Sequence, residues 1–315
     1  MMKMLKKGAI MKRIAIYPII PAVLLIMSSI LNAQETKSDT AGAVKGWKKS
    51  LNAGLNLTQS SFSDNWVGGD AGNLSWVAQV NGTFEKQIST KFTFRNISIL
   101  QFGQTSSQDK DTKRWSRPSK STDKIDLDNL GRFTLHTFVD PFVDFRLQSE
   151  FLDASYAPKK RLFNPVLLTE SAGIARLVYQ KDKNQVLTRL GFAVREKFDR
   201  AIDDTLSGTT KYKTATDGGL ESVTDVTYQF ASSISYIGRL SILKAFFYSK
   251  KDELKGTPQE NYWKTVDFDW ENTLNVNITK LVTMNFYSQL IYDKQVSLAG
   301  QFEETFGLGL KFNLY

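Results

Sequence analysis

The 315-residue chain has no cysteine, a single histidine and only seven prolines. Without cysteine there is no disulfide framework, no thiolate metal site, no cysteine nucleophile and no lipid-modified cysteine behind a leader. One histidine excludes multi-histidine zinc sites and leaves His136 as the sole imidazole base. Long apolar runs are equally scarce. There is one, at residues 14–31, and a mean hydropathy of −0.29 is too polar for a bundle of membrane helices. Against these absences stand 41% hydrophobic residues with 21 Phe, 11 Tyr and 6 Trp, too apolar and aromatic a chain to be disordered.

Lys3, Lys6, Lys7, Lys12 and Arg13 precede the apolar run, and Leu31-Asn32-Ala33 closes it on a small residue. Residues 1–33 therefore read as a cleaved secretory signal peptide, with Met11 an alternative start. Pro18 and Pro21 interrupt the run, which argues against a retained membrane anchor. Cleavage leaves 36 basic residues against 32 acidic, a net of +4 in place of +9. Charges of both signs are interleaved along the rest, so no concentrated basic face exists and a nucleic-acid partner is not expected. Residues 34–45, polar and small, read as a flexible periplasmic lead-in to a domain over 46–315.

From Trp47 onward the apolar period is two. Phe306, Leu308, Leu310, Phe312 and Leu314 take one face of the last segment, and Thr305, Gly307, Gly309, Lys311 and Asn313 the other, a sorting no helix produces. Twelve such segments are countable, at 47–58, 73–86, 91–104, 124–137, 141–153, 169–180, 185–197, 220–232, 239–251, 264–276, 281–293 and 302–314. Connections after odd-numbered segments are mostly long (59–72, 105–123, 154–168, 198–219), and those after even-numbered ones short. Strands longer than those of soluble sandwiches, with long and short connections segregated, predict an all-β fold: a closed antiparallel transmembrane β-barrel with both termini on the periplasmic side. The count is twelve, with ten or fourteen as alternatives. Segment three places Asn96 and Ser98 on its apolar face, and segment nine does not alternate cleanly. Trp47, Trp76, Tyr179, Tyr228, Tyr248 and Tyr292 near segment ends suit interfacial girdles.

The opposite face of these strands would line a lumen. Its candidates are Arg95, Asp126, Asp128, Arg132, Asp144, Arg146, Glu150, Arg189, Arg195, Asp267, Asp269, Glu271 and Lys311, joined by Lys197, Asp225 and Lys244, eight basic against eight acidic. Such balance predicts a bridged, narrow interior in preference to a wide pore. Asp267, Asp269 and Glu271 share one strand face and offer oxygen ligands to a hard cation, or arginines neutralise them. His136 is expected to project inward, and Phe138 stands where a His-x-Ser pair would need serine. Neither a catalytic residue nor a cofactor is assigned. The loop over 109–124 is the most basic patch, and Asp203-Asp204 lies in the fourth long loop.

The stretch Asn65-Trp66-Val67-Gly68-Gly69, with Asp123-Lys124-Ile125-Asp126-Leu127 beyond it, resembles a bacterial outer-membrane barrel family catalogued only as a domain of unknown function. The C-terminus is similar to a barrel-assembly signal, although Tyr315 is out of phase with Phe312 and Leu314. The resemblance implies an exported protein of the outer membrane that meets lipid and, during biogenesis, the barrel-assembly machinery. It brings no functional residues. A narrow or gated channel for small polar solutes is the expected role. The alternatives are a closed scaffold whose external loops bind a surface partner or lipid, and a hydrolase.

Overall fold

A computed structural model describes residues 46–62, 71–135 and 137–313. The expected signal peptide and lead-in, the Asn65-Trp66…Gly68-Gly69 motif, His136, Leu314 and Tyr315 lie outside the described residues.

Alternation of apolar and polar side chains is realised as strands, because only an extended chain sends successive residues to opposite faces. They are β1 (Lys48–Ser60), β2 (Asn73–Ser89), β3 (Phe92–Ser107), β4 (Ser119–Phe133), β5 (Asp140–Ser149), the short pair β6 (Leu152–Asp153) and β7 (Arg161–Leu162), β8 (Val166–Lys181), β9 (Asn184–Asp204), β10 (Thr209–Ala231), β11 (Ile234–Tyr248), β12 (Val266–Asn277), β13 (Val282–Tyr292) and β14 (Gln301–Asn313). Twelve of them close in the order β1-β14-β13-β12-β11-β10-β9-β8-β5-β4-β3-β2, while β6 and β7 form a separate ribbon. Every barrel neighbour is antiparallel. Closure runs through β1 and β14, in register from Asn52↔Asn313 to Asn56↔Gly309, so no edge is left to expose unpaired backbone.

The outward side is apolar and uncovered, as a lipid-facing wall must be: Phe302, Phe306, Leu308, Leu310 and Phe312 on β14 are all exposed, as are Phe286 on β13 and Trp270 on β12. Aromatic pairs gather toward both rims. Trp76–Phe102, Phe268–Tyr292 and Tyr248–Trp263 lie at the long-loop end, and Phe92–Phe133 and Tyr228–Phe230 at the short-turn end. Asn96 and Ser98 do face outward, and they satisfy each other: Ser98 Oγ donates to Asn96 Oδ1 at 2.8 Å, and Asn96 Nδ2 to Asn129 Oδ1 at 2.8 Å.

Several expected bounds shift. β4 begins at Ser119 and ends at Phe133, so Leu135 lies past the strand. β5 stops at Ser149, which puts Glu150 in the following loop. The expected fourth long loop, 198–219, is mostly strand. β9 runs to Asp204 and β10 starts at Thr209, leaving a turn over 205–208 at the tip of a ribbon that extends past the end of β8. In β11 the alternation breaks because Gly218 pairs with Phe247 and Gly219 with Ala245, a bulge that leaves both Phe246 and Phe247 exposed. Gly219 is needed there, since a Cβ would come within 1.9 Å of the Lys244 carbonyl oxygen.

Candidate functional site in the barrel lumen

The inner face gathers charge into three tiers. In the tier nearest the short turns, Asp225 on β10 accepts Arg95 Nη2 from β3 at 2.7 Å, Arg239 Nε from β11 at 2.8 Å and Arg189 Nη2 from β9 at 3.4 Å. Asp128 on β4 pairs with the same Arg239 and, at 3.5 Å, with Arg189, whose Nη1 is 3.1 Å from Asp144 on β5. In the middle tier, Glu271 on β12 accepts Lys124 Nζ from β4 at 2.8 Å and Arg146 Nη2 from β5 at 3.2 Å. Arg146 also holds Asp126 through both oxygens, at 2.9 and 2.6 Å, and Gln289 on β13 donates to Asp269 at 2.7 Å. In the tier nearest the long loops, Arg195 on β9 grips Asp217 bidentately, both contacts at 2.7 Å, and reaches Asp267 on β12 at 2.8 Å. Arg189 and Arg195 are six residues apart on one strand, so the stack is about 20 Å long along it.

Many of these contacts cross the lumen instead of running along its wall. Arg95 and Asp225, Arg146 and Glu271, and Arg239 and Asp128 each stand five strands apart in the ring, and Lys124 and Glu271 stand six apart. The groups are dry: Asp126, Asp128 and Arg189 are each 2% exposed. A charge taken from water at that cost persists only when opposite charge and hydrogen bonds meet it, which the tiers supply. Asp267, Asp269 and Glu271 are thus each engaged by Arg195, by Gln289, or by Lys124 with Arg146. Among the described residues no group of His, Cys, Asp and Glu is arranged to hold a metal ion.

The remaining candidates sit apart from the stack. Arg132 faces Asp140 at 3.9 Å near the short turns, and Lys311 Nζ approaches Asn277 Oδ1 at 3.5 Å. Glu150 is corrected from the lumen wall to the loop after β5, where it pairs with Lys120. Lys244 is corrected to the outward, exposed phase of β11, bonding the Lys264 carbonyl. Lys124 and Arg239 carry cross-lumen contacts, Asp217 pairs with Arg195 directly opposite it on the adjacent strand, and none of the three was among the expected lining residues. Their signal was the period-two phase shared with Asp126, Asp225 and Ser241, which reaches Asp217 once β10 is lengthened to begin at Thr209.

Outside the wall, the loop between β5 and β8 is folded on itself. Asn164, 1% exposed, donates to Asp153 Oδ2 at 2.6 Å and Asp199 Oδ1 at 3.0 Å and accepts the Arg200 N–H at 2.7 Å. Arg161 ties Asp153 at 2.7 Å and the Arg200 carbonyl at 2.6 Å. The Asp123 carboxylate accepts the N–H groups of Phe151 and Leu152 at 2.7 and 2.8 Å, anchoring the ribbon to β4.

Fold and interior together define a class, the closed transmembrane β-barrel with a polar lumen crossed by ion pairs. Residues 57–154 match the family described as Protein of unknown function (DUF3078), so the resemblance read from the sequence holds over that stretch. None of the curated proteins matches the chain. Among solved structures, an outer membrane channel from Pseudomonas putida F1 is similar at 15% identity and a TM-score of 0.38, over 88% of this chain and 98% of that one. The translocator domain of the autotransporter NalP from Neisseria meningitidis is similar at 11% identity and a TM-score of 0.35, over 93% of this chain and 94% of that one. The NanC porin is similar at 11% identity and a TM-score of 0.35, over 84% and 100%.

Proposed function

We propose that the chain is exported by its signal peptide to the outer membrane and acts there as a narrow, gated channel for small polar solutes, its nearly charge-balanced lumen serving as filter and gate. Lipid would cover the apolar wall, and the barrel-assembly machinery would read the last strand. The observation that carries this reading is the closure of the lumen by cross-wall ion pairs. A scaffold that needed only to be closed is served as well or better by apolar filling, because buried ion pairs add little net stability. Ion pairs, unlike a packed apolar core, exchange partners with water and with a polar solute. No catalytic role is part of this reading.

Planar-bilayer recording of the purified barrel tests it. Small, switching potassium currents are expected, larger when the Lys124–Glu271 bridge of the middle tier is removed by Lys124→Met with Glu271→Gln. Silence of both proteins across salts and voltages would refute it.

A second reading, a closed scaffold that presents its external loops to a surface partner, draws on the buried Asn164 network, which holds the 150–165 loop in one shape. Deleting residues 154–160 would then abolish partner binding and leave currents absent in both forms.

A further inference from the structure

The tiers draw their charges from β3, β4, β5 and β9 to β12. The rest of the inner wall is different: the inward positions from Thr305 to Gly309 on β14, from Asn52 to Thr58 on β1 and from Ser75 to Thr83 on β2 carry no charge at all. Three of them are glycines, Gly54, Gly307 and Gly309, and amide side chains lie over them: a Cβ on Gly54 would stand 3.0 Å from Gln79 Nε2, and one on Gly309 1.9 Å from Asn56 Oδ1. Where this neutral strip meets the tiers there is a small notch of about 20 Å³, lined by Asn56, Gln79, Gln101, Thr122, Asn285 and Thr305. Tyr287 divides it from the charges. Its hydroxyl donates to Gln289 at 2.8 Å and receives Lys124 Nζ at 3.2 Å.

Two buried amide atoms of the notch have no protein partner, the acceptor Asn56 Oδ1 and the donor Asn285 Nδ2, and Asn285 is 9% exposed. A buried polar atom left unpaired costs free energy, so a donor and an acceptor unpaired in one notch call for a group that accepts and donates at a single atom. The volume admits one oxygen. An ion finds no counter-charge there, and an apolar group satisfies neither atom. We propose that the notch is the hydroxyl-recognition point of a track for neutral polyhydroxylated solutes, sugars or polyols, along β14, β1 and β2. Such a solute exchanges hydrogen bonds with amides and hydroxyls without breaking an ion pair. The inference deepens the channel reading and rests on it.

The test is swelling of proteoliposomes in arabinose beside potassium conductance of the same preparations. Arabinose is expected to enter wild-type vesicles faster than protein-free ones. Asn285→Leu, which removes the donor and keeps the branching of the side chain, is expected to lower the ratio of arabinose entry to potassium conductance about fivefold, the worth of one neutral hydrogen bond. Asn56→Ala is a second variant with the same expected direction, used if Asn285→Leu lacks the heat-modifiable gel mobility of a folded barrel. An unchanged ratio in the folded variant means that the notch holds only water and overturns the inference, as does potassium current without arabinose entry; both results leave the channel reading standing. Absence of current and swelling together overturns the channel reading and this inference with it.

Discussion

Lys124 on β4 and Glu271 on β12 meet at 2.8 Å although their strands are six places apart in the closed ring of twelve, as far as two strands of this barrel can be. The pair therefore spans the lumen by side chains alone. Arg146 joins it at 3.2 Å, so one carboxylate serves two cations from neighbouring strands.

Glu271→Gln leaves Lys124 and Arg146 short of a carboxylate in a dry interior. A loss of about 3–5 kcal/mol in unfolding free energy is expected, because a buried charge without its partner is far costlier than the intact pair is helpful. Urea unfolding in lipid vesicles, followed by tryptophan fluorescence, measures it. Lys124→Met with Glu271→Gln should recover much of the loss, since only Arg146 then remains short, and it keeps Asp126.

Leu308→Arg places a guanidinium on the lipid face of β14, midway along the strand. The expected cost is about 2–4 kcal/mol, with slower insertion into preformed vesicles. Gly307→Arg, one residue away, points the same charge inward, where its cost arises instead from collision with Asn56, whose Nδ2 would be 2.6 Å from the new Cβ.

Asn164→Ala removes the donors to Asp153 and Asp199 and the acceptor of the Arg200 N–H in a single change. Protease cleavage within 150–165 of the reconstituted protein should accelerate, while heat-modifiable mobility of the barrel stays as it was.

Acid should loosen the tip of the β9–β10 ribbon. The Asp204 carboxyl lies below its ordinary value of 3.8, held there by the Ser207 hydroxyl at 2.6 Å and then by the N–H groups of Leu206 and Ser207. A depressed carboxyl stabilises the turn above the unfolded value and loses that contribution as pH falls below 3.8 through the folded value. The Leu206 and Ser207 amides should therefore lose protection, taken as exchange relative to an unstructured chain at the same pH, below about pH 3.8 and keep it unchanged between pH 5 and 7.

Architecture was legible because lipid on one side and polar lumen on the other impose a strict alternation: the last strand, expected at 302–314, is Gln301–Asn313. Length was harder where that constraint lapses. Beyond the membrane the β9–β10 ribbon is wetted on both faces, so Lys211, Tyr212 and Lys213 carry no apolar pattern and read as loop. Arg239 fell at the first residue of the expected ninth strand, whose phase was scrambled by the bulge at Phe246; in the structure it is the sixth residue of β11 and faces the tiers. Lys124, the first residue of the expected fourth strand, was also counted as the last of a basic external loop with Lys110, Lys113, Arg114 and Lys120, and so was not read as lining the lumen. Which charges would meet across the barrel was not written in any local pattern, since Arg95 and Asp225 are 130 residues apart and are joined only once the sheet curls.

The ionic tiers also police threading. Lys124, Asp126 and Asp128 alternate with Ile125 and Leu127, so sliding β4 by one residue against β3 would hand all three charges to hydrocarbon and both aliphatics to the water side. Stranded cations deep in lipid cost about 2–4 kcal/mol each and anions somewhat less. A wrongly zipped sheet is thus penalised at several strands at once, before any solute is ever encountered.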